Sequence, residues 1–534
     1  MEYHLADLFE HAVDNFGERD FVICDGKRRT YAQMEERANR LAHHLQDAGV
    51  KPGDHVGIYA LNSVEWVEIM WAVFKIRAVW ININFRYVEE ELRYLFTNAD
   101  LVALVHQKQY SPRVEGVLPH LPDLKHIVTI DDGSDVSAPA GAVDYEQAVA
   151  GGSPERDFGP RSPDDHYILY TGGTTGMPKG VVWRQEDVFF ALGGGLDVVT
   201  GNRVTSPKGM VERGLANGPV KMLPIAPLMH GATQWGVMQG GFVGNTIVLV
   251  PEFDPAEVWR LVGEEQVNAV MITGDAMGRP LVEELDNADA NYDLSSLIAL
   301  SSTAAVFSPS VKDEFFKRLP NLIMTDAIGS SEGGANGLTY VSKDNTAMKG
   351  GPTVNPNVDT AVFDDDGNRV QPGSGVIGKI ARSGHVPIGY YKDPEKTAET
   401  FIQLEGRRWS VPGDFAQVEA DGTITLLGRG SVSINSGGEK IHPEEVEAAV
   451  KSHPDVWDAV VVGVPDERWG QRVAAVIQAR EGVSPDLESI QEHCRLSIAR
   501  YKVPRELHVV PAMVRSPSGK PDYRWALNIA TKEN

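Results

Sequence analysis

The sequence predicts an α/β protein with a large N-terminal domain of parallel sheets, a β-rich subdomain, and a small α+β domain at its C-terminal end. Three observations carry that prediction. Short apolar runs alternate with amphipathic helical stripes through residues 5–130, as expected of parallel sheets covered on both faces. After about residue 360 the texture changes to short strands separated by Asp-Gly and Pro-Gly turns. From Ile441 the α/β pattern returns. At 534 residues the chain exceeds the length at which one hydrophobic core stops growing, so at least two domains are expected.

Leu5, Leu8, Phe9, Ala12, Val13 and Phe16 share one stripe, so the first segment is an amphipathic helix. Thr30 caps a second helix, whose Met34, Ala38, Leu41, Ala42 and Leu45 face inward. The run Lys51, Pro52, Gly53, Asp54 then turns the chain into a short apolar strand at 56–60. A helix at 64–74, a strand at 79–83, a helix at 89–96 and strands at 101–106 and 127–130 continue the alternation. The stretches 358–370, 375–382 and 421–429 supply the short strands of the β-rich part. His442, Pro443, Glu444 and Glu445 open a helix with proline at its first position and acids in its first turn. Residues 459–464, 474–479 and 506–510 read as the strands beside it.

Apolar residues make up 42% and charged residues 23%, the balance of a packed globular protein. The net charge of −24 argues against a nucleic-acid groove and against constitutive anchoring on anionic lipid. Only Cys24 and Cys494 occur, too few for a disulfide framework or a cysteine zinc site, which points to a reducing cytoplasm. The first residues lack the basic and apolar regions of a signal peptide, and the apolar stretch 70–83 is broken by Lys75 and Arg77, so no membrane span is expected. The glycine-rich stretch 193–201 reads as a mobile loop of no legible role.

The most informative segment runs from Tyr170 to Gly180, YTGGTTGMPKG, directly after an apolar strand at 167–169. Within its first seven positions, three glycines and three threonines crowd backbone N–H and hydroxyl donors into one loop, which can wrap nucleotide phosphates while Lys179 adds positive charge. A Walker A loop would place Gly-Lys-Ser/Thr at a helix N-terminus. Here Pro178 precedes the lysine, Gly180 follows it, and Val181, Val182 and Trp183 continue as a strand. The Walker reading fails.

This segment resembles the signature loop of the adenylate-forming superfamily, which holds acyl-CoA synthetases, firefly luciferase and the adenylation domains of peptide synthetases. The usual serine at its third position is Gly172 here. The resemblance runs in order over nearly the whole chain and is especially similar to actinobacterial fatty-acid and steroid-side-chain CoA ligases. It implies that Thr171, Gly172, Gly173, Thr174, Thr175, Gly176 and Lys179 bind ATP. Gly329, Ser330, Ser331 and Glu332 look like the second nucleotide motif, with Glu332 and Thr171 at a Mg²⁺ site; Asp326 and Ile328 join the nucleotide set. Ile328 stands where relatives often have an aromatic, so its adenine contact is more purely apolar. Ser302, Thr303 and Ala304 resemble the segment along adenine. Asp414 matches the ribose aspartate, and Arg429 meets ribose or phosphate. Ser431 occupies the hinge, where many relatives place Asp or Lys. Ser436, Gly437 and Gly438 resemble the loop presented to coenzyme A. Lys520, in Pro517-Ser518-Gly519-Lys520, resembles the catalytic lysine.

The chemistry fits these assignments. A carboxylate attacking an α-phosphate brings two anions together, and an ammonium between them offsets the repulsion. The expected domains are residues 1–428, with the β-rich subdomain at about 355–428, a hinge at 429–431, and a mobile C-terminal domain at 432–534. Pro227 to Gly231 resembles the segment beside the acyl pocket, which gives His230 a role at the carboxylate or as a gate, with Gly231 and Trp235 lining the pocket. Peptide-synthetase domains carry an amine-pairing aspartate at the place of Gly231, so amino acids are poor candidates here. The expected reaction is ATP-dependent formation of acyl-CoA from a hydrophobic acid. An aryl or small-acid CoA ligase, a carrier-loading enzyme, a luciferase-like oxygenase and a non-catalytic nucleotide binder stand as rivals, and a homodimer stays open.

Overall fold

The computed structural model describes residues 2–171, 177–197, 201–287, 291–343, 352–429, 432–436, 439–466, 469–516 and 519–532. The chain divides into two compact units. One holds Met1–Met271, Asn291–Leu297 and His385–Phe401; the other holds Ile272–Ala290, Ile298–Gly384 and Ile402–Asn534.

The first unit opens with helix Leu5–Phe16, whose predicted stripe is buried throughout. Its Phe9 stacks on Trp71 with ring centroids 4.2 Å apart. Thr30 and Gln33 form a reciprocal capping box that starts helix Tyr31–Asp47, a device contributing about 1 kcal/mol. The predicted strands assemble as an all-parallel sheet in the order Val79–Asn82, His55–Tyr59, Leu101–Gln107, His126–Ile130, Val143–Asp144. Every residue of His55–Tyr59 is buried, which is why these strands read as continuous apolar runs rather than alternating ones. A second parallel set joins Asp20–Cys24, Thr246–Leu249, Lys221–Pro224 and Ala269–Ile272. The short strands expected on either side of the glycine–threonine segment are longer, His166–Thr171 and Lys179–Arg184. They pair antiparallel with Thr171 opposite Lys179, and Gly389–Tyr390 completes the far edge of Lys179–Arg184.

In the second unit, Ala299–Thr303 runs parallel to Ile323–Ser330, which pairs antiparallel with Gly334–Val341. The β-rich part is antiparallel, as its turns predicted. It links Thr353–Pro356, Ile424–Arg429, Asp414–Val418 and Ile377–Ser383, with Thr360–Phe363 and Arg407–Ser410 also on Ile377–Ser383. Toward the C-terminus, Val456–Asp466 pairs antiparallel with Gly470–Ala479, and Glu506–Val510 adds in parallel. The strand period of two divides this sheet's side chains. Val461, Val473, Ala475 and Ile477 pack with helix Pro443–Lys451, while Val460, Val462, Ala474 and Val476 pack with helix Tyr523–Thr531. His442 occupies the N-cap position of the first of these helices without a side-chain capping bond, with Pro443 at its first position and Glu444 and Glu445 in its first turn. Among the described residues, no helix is long and apolar enough to cross a membrane.

Candidate active site

In the first unit, the segment 226–230 is neither helix nor strand, and buried side chains satisfy its backbone. Asn62 accepts from the Leu228 N–H at 2.6 Å, and Gln234 donates to the Leu228 carbonyl at 2.8 Å. Thr233 donates to the Ala226 carbonyl at 2.7 Å, and Tyr167 donates to Gln234 from beneath. Asn82 reaches two places at once. Its amide donates to the carbonyls of Met229 (2.7 Å) and Tyr170 (2.8 Å), and its Oδ1 accepts from the Tyr170 N–H (2.8 Å). One buried amide thus ties the base of the glycine–threonine segment to the loop ahead of His230.

His230 is half-buried and occupies the N-cap position of helix Gly231–Phe242, with extended dihedrals φ −105° and ψ 143°. Gly231 is required by space: a Cβ there would lie 2.4 Å from Trp235 Cζ2 and 2.7 Å from Leu169 Cδ2. No carboxylate fits at that position. Trp235 is half-buried, whereas Val237, Met238 and Phe242 of the same helix are core residues. Thr171 ends its strand half-buried. Lys179, expected on phosphate, forms an ion pair with Asp393, whose carboxylate it holds below the usual range; Asp393 also accepts from the Lys396 N–H at 2.9 Å. Gly172, Gly173, Thr174, Thr175, Gly176, Ser431, Gly437 and Gly438 lie outside the described residues.

In the second unit, Ser302 is buried and its hydroxyl accepts from the Gly274 N–H at 3.1 Å. Thr303 and Ala304 follow in a tight turn in which the Ala305 N–H donates to the Thr303 carbonyl at 2.8 Å. Ala304 is exposed and holds φ +66°, a left-handed conformation costing a non-glycine residue roughly 1 kcal/mol. Two nucleotide candidates have internal roles. Asp326 is buried against Lys312, and burial pushes its carboxyl up; Ile328 is a core residue clustered with Val354, Val362 and Ile380. Gly329 is exposed, and Ser330 and Ser331 are half-buried. Ser330 Oγ accepts from the Gly333 N–H at 2.9 Å, and Ser410 Oγ donates to the Glu332 carbonyl at 2.6 Å, which fixes the turn that carries the buried Glu332. Asp414 is half-buried and is the register partner of Arg429 on the neighbouring strand. Beside them Gly428 has φ +101°, and a Cβ there would meet Glu444 Oε2 at 2.0 Å. Ser436 ends a short strand opposite Glu439.

Lys520 is exposed and follows a tight turn in which the Ser516 N–H donates to the Lys520 carbonyl (2.9 Å) and the Lys520 N–H to Ser516 Oγ (3.0 Å). Gly519 has φ +75°, and a Cβ on it would lie 3.0 Å from both Ala276 Cβ and the Thr273 carbonyl. The Lys520 turn is therefore seated on the segment 273–276, whose Gly274 is held by Ser302. Two predicted motifs more than 200 positions apart in the chain, at Ser302 and at Lys520, thus both rest on the segment 273–276. Sequence reasoning missed Asn62 and Asn82, because no local spacing marks a buried amide whose partner is a distant backbone.

Among the described residues, no group of three or more His, Cys, Asp or Glu is placed to hold a metal. A cation here would draw most of its oxygen ligands from a substrate, which suits Mg²⁺, a metal satisfied by one or two protein oxygens beside phosphates. The buried carboxylate of Glu332, on a turn anchored by Ser410, fits that requirement.

Residues 9–391 match the family described as AMP-binding enzyme, and residues 445–520 match the AMP-binding enzyme C-terminal domain. Over 531 residues the chain is 54% identical to the 3-oxocholest-4-en-26-oate–CoA ligase of Rhodococcus rhodochrous, covering 98% of this chain and 96% of the relative. Over 524 residues it is 55% identical to a medium/long-chain-fatty-acid–CoA/3-oxocholest-4-en-26-oate–CoA ligase of Mycobacterium tuberculosis, covering 98% and 95%. The solved structure of the anthranilate CoA ligase AuaEII in complex with anthranoyl-AMP has the same fold, with a TM-score of 0.85 at 22% identity over 99% of both chains.

Proposed function

We propose that this chain, which belongs to the AMP-binding enzyme family, joins a hydrophobic carboxylic acid to coenzyme A through an acyl-adenylate, with ATP cleaved to AMP and pyrophosphate. The observation that carries this reading is the seating of the Lys520 turn on 273–276, beside the Ser302 segment read as the adenine border. It gives a cationic side chain on a compact turn a reason to lie near that border.

In the reaction, the substrate carboxylate attacks the α-phosphate and pyrophosphate leaves. Lys520 offsets the repulsion between the two anions as charge builds in the transition state. Asp414 accepts from the ribose hydroxyls, Ser302 to Ala304 border adenine, and Lys179 exchanges Asp393 for phosphate. Glu332 and Thr171 would hold Mg²⁺, which when bound supplies neutralising charge to the triphosphate. Residues 432–534 then turn about the hinge at 429–431, withdrawing Lys520 and presenting Ser436 to Gly438, and the coenzyme A thiolate displaces AMP.

A fatty acid of medium or long chain, or a steroid side-chain acid, is the proposed substrate class. The names of the relatives support it, as does Gly231, where no amine-pairing carboxylate fits and an α-ammonium would be left uncompensated. A reducing, cytoplasmic setting agrees with two free, buried thiols.

The test is a panel of acids assayed for AMP release with and without coenzyme A, together with Lys520→Ala. Adenylation by that variant should fall by roughly 10²–10³-fold, while thioester formation from supplied acyl-AMP is retained. A variant that adenylates normally would contradict the role given to Lys520.

A further inference from the structure

We infer that Arg515 is a positioning residue for Lys520, holding the lysine's turn at the adenylation site through a buried relay of charges; this rests on the reading of Lys520 given above. The guanidinium of Arg515 uses three of its N–H groups on two targets. Nε and Nη2 donate to the two oxygens of Asp458, each at 2.6 Å, and Nη1 donates to the Gly519 carbonyl at 3.0 Å. The accepting peptide is the one that joins Gly519 to Lys520. Arg515 and Pro521 are bridge partners, so the same arginine closes the base of the turn.

Asp458 is itself fixed. It accepts from the Ala459 N–H at 2.8 Å, and the Lys451 ammonium lies 3.6 Å away. Lys451 lies 3.7 Å from Asp275 on its other side, and Asp275 accepts from the Ser308 N–H at 2.7 Å. Asp275 adjoins Gly274, the residue bonded to Ser302, and the Gly519 turn is seated on this same segment. The side chains of Asp275, Lys451 and Asp458 are at most 7% exposed. Burying such charges is a poor way to gain stability, since desolvation offsets most of the attraction. A planar fork locked on a carboxylate is, however, a good way to fix a third hydrogen bond in space, and lysine cannot reproduce it.

The experiment compares Arg515→Met, Arg515→Lys and Lys520→Ala with the unaltered enzyme in pyrophosphate–ATP exchange, thioester formation from supplied acyl-AMP, and thermal unfolding. Arg515→Met should lower the exchange kcat by roughly 10- to 100-fold, with the KM for ATP changed by no more than about twofold and the thioester step retained. Arg515→Lys keeps a charge beside Asp458 but not the Gly519 bond. It should lose exchange with its thermal midpoint near that of the parent, which preserves the test if Arg515→Met does not fold. Exchange at the parent level in Arg515→Lys, or equal losses in both half-reactions, overturns the inference. If Lys520→Ala exchanges normally, the role of Lys520 has failed; if it alone collapses, only the role of Arg515 has.

Discussion

Replacing Asn82 with alanine removes three hydrogen bonds at once from a side chain that is only 4% exposed. The Tyr170 N–H loses its acceptor, and the carbonyls of Tyr170 and Met229 lose donors. An unsatisfied buried backbone group costs about 1–3 kcal/mol. Carbonyls retain a second lone pair, so the low end of that range applies, and the three together amount to about 3 kcal/mol. The loss is local, and hydrogen exchange reads local opening directly. At about 1.4 kcal/mol per factor of ten, protection of the Tyr170 amide should fall by roughly a hundredfold. Peptides from 166–184 and from 222–236 should both exchange faster, since one side chain serves both. Pyrophosphate–ATP exchange should weaken in parallel, because the base of the glycine–threonine segment is no longer fixed. Unaltered protection of the Tyr170 amide in Asn82→Ala would refute the clamp, as would faster exchange confined to only one of the two segments.

Glu444 has an enclosed Oε2 with no hydrogen-bond partner among the described residues, and its carboxyl is pushed up from 4.5 to about 8, first by burial and then by Glu447. The fold favours the protonated acid, so this contribution is whole below about pH 4.5 and is lost as the pH rises to about 8. Thermal midpoints measured across that window should decline less steeply for Glu444→Gln than for the parent, and identical slopes would remove Glu444 from the account. Gly231→Ala places a methyl 2.4 Å from the Trp235 ring, an overpacking expected to cost roughly 1–3 kcal/mol. Displacing Trp235 should raise the KM for the acid and leave that for ATP unchanged; an unaltered acid KM would show that Trp235 does not border the acid.

The elements with strong periodicity are legible in the sequence alone. The stripe from Leu5 to Phe16, the cap at Thr30, the parallel strands around His55–Tyr59 and the proline-led helix at Pro443 all follow from local residues whose preferences agree with their burial. Strand ends were less legible. His166–Thr171 runs past the expected 167–169 because its pairing with Lys179–Arg184 extends into polar residues. Side-chain partnerships were not legible at all. Asp326 reads as a nucleotide-site acid, yet it is buried in an ion pair with Lys312, a partner that no motif marks. Asp275, Lys451, Asp458 and Arg515 each look like a solvated charge, because their partners lie up to 176 positions away in the sequence. Asn82 is one polar residue at the end of an apolar strand, and nothing nearby reveals the two backbones it holds.

The short strand Gly389–Tyr390 lies on the Lys179–Arg184 edge, with the Tyr391 N–H donating to the Gly180 carbonyl at 2.8 Å. This gives biosynthesis an order. About 200 residues separate the hairpin from the strand that covers it, an interval of roughly 10–40 s at ribosomal rates. Throughout that wait the nascent hairpin presents a bare row of amide and carbonyl groups, the kind of surface on which chains recruit one another. Chaperone demand should accordingly peak before the ribosome passes Tyr390 and subside once that strand has docked.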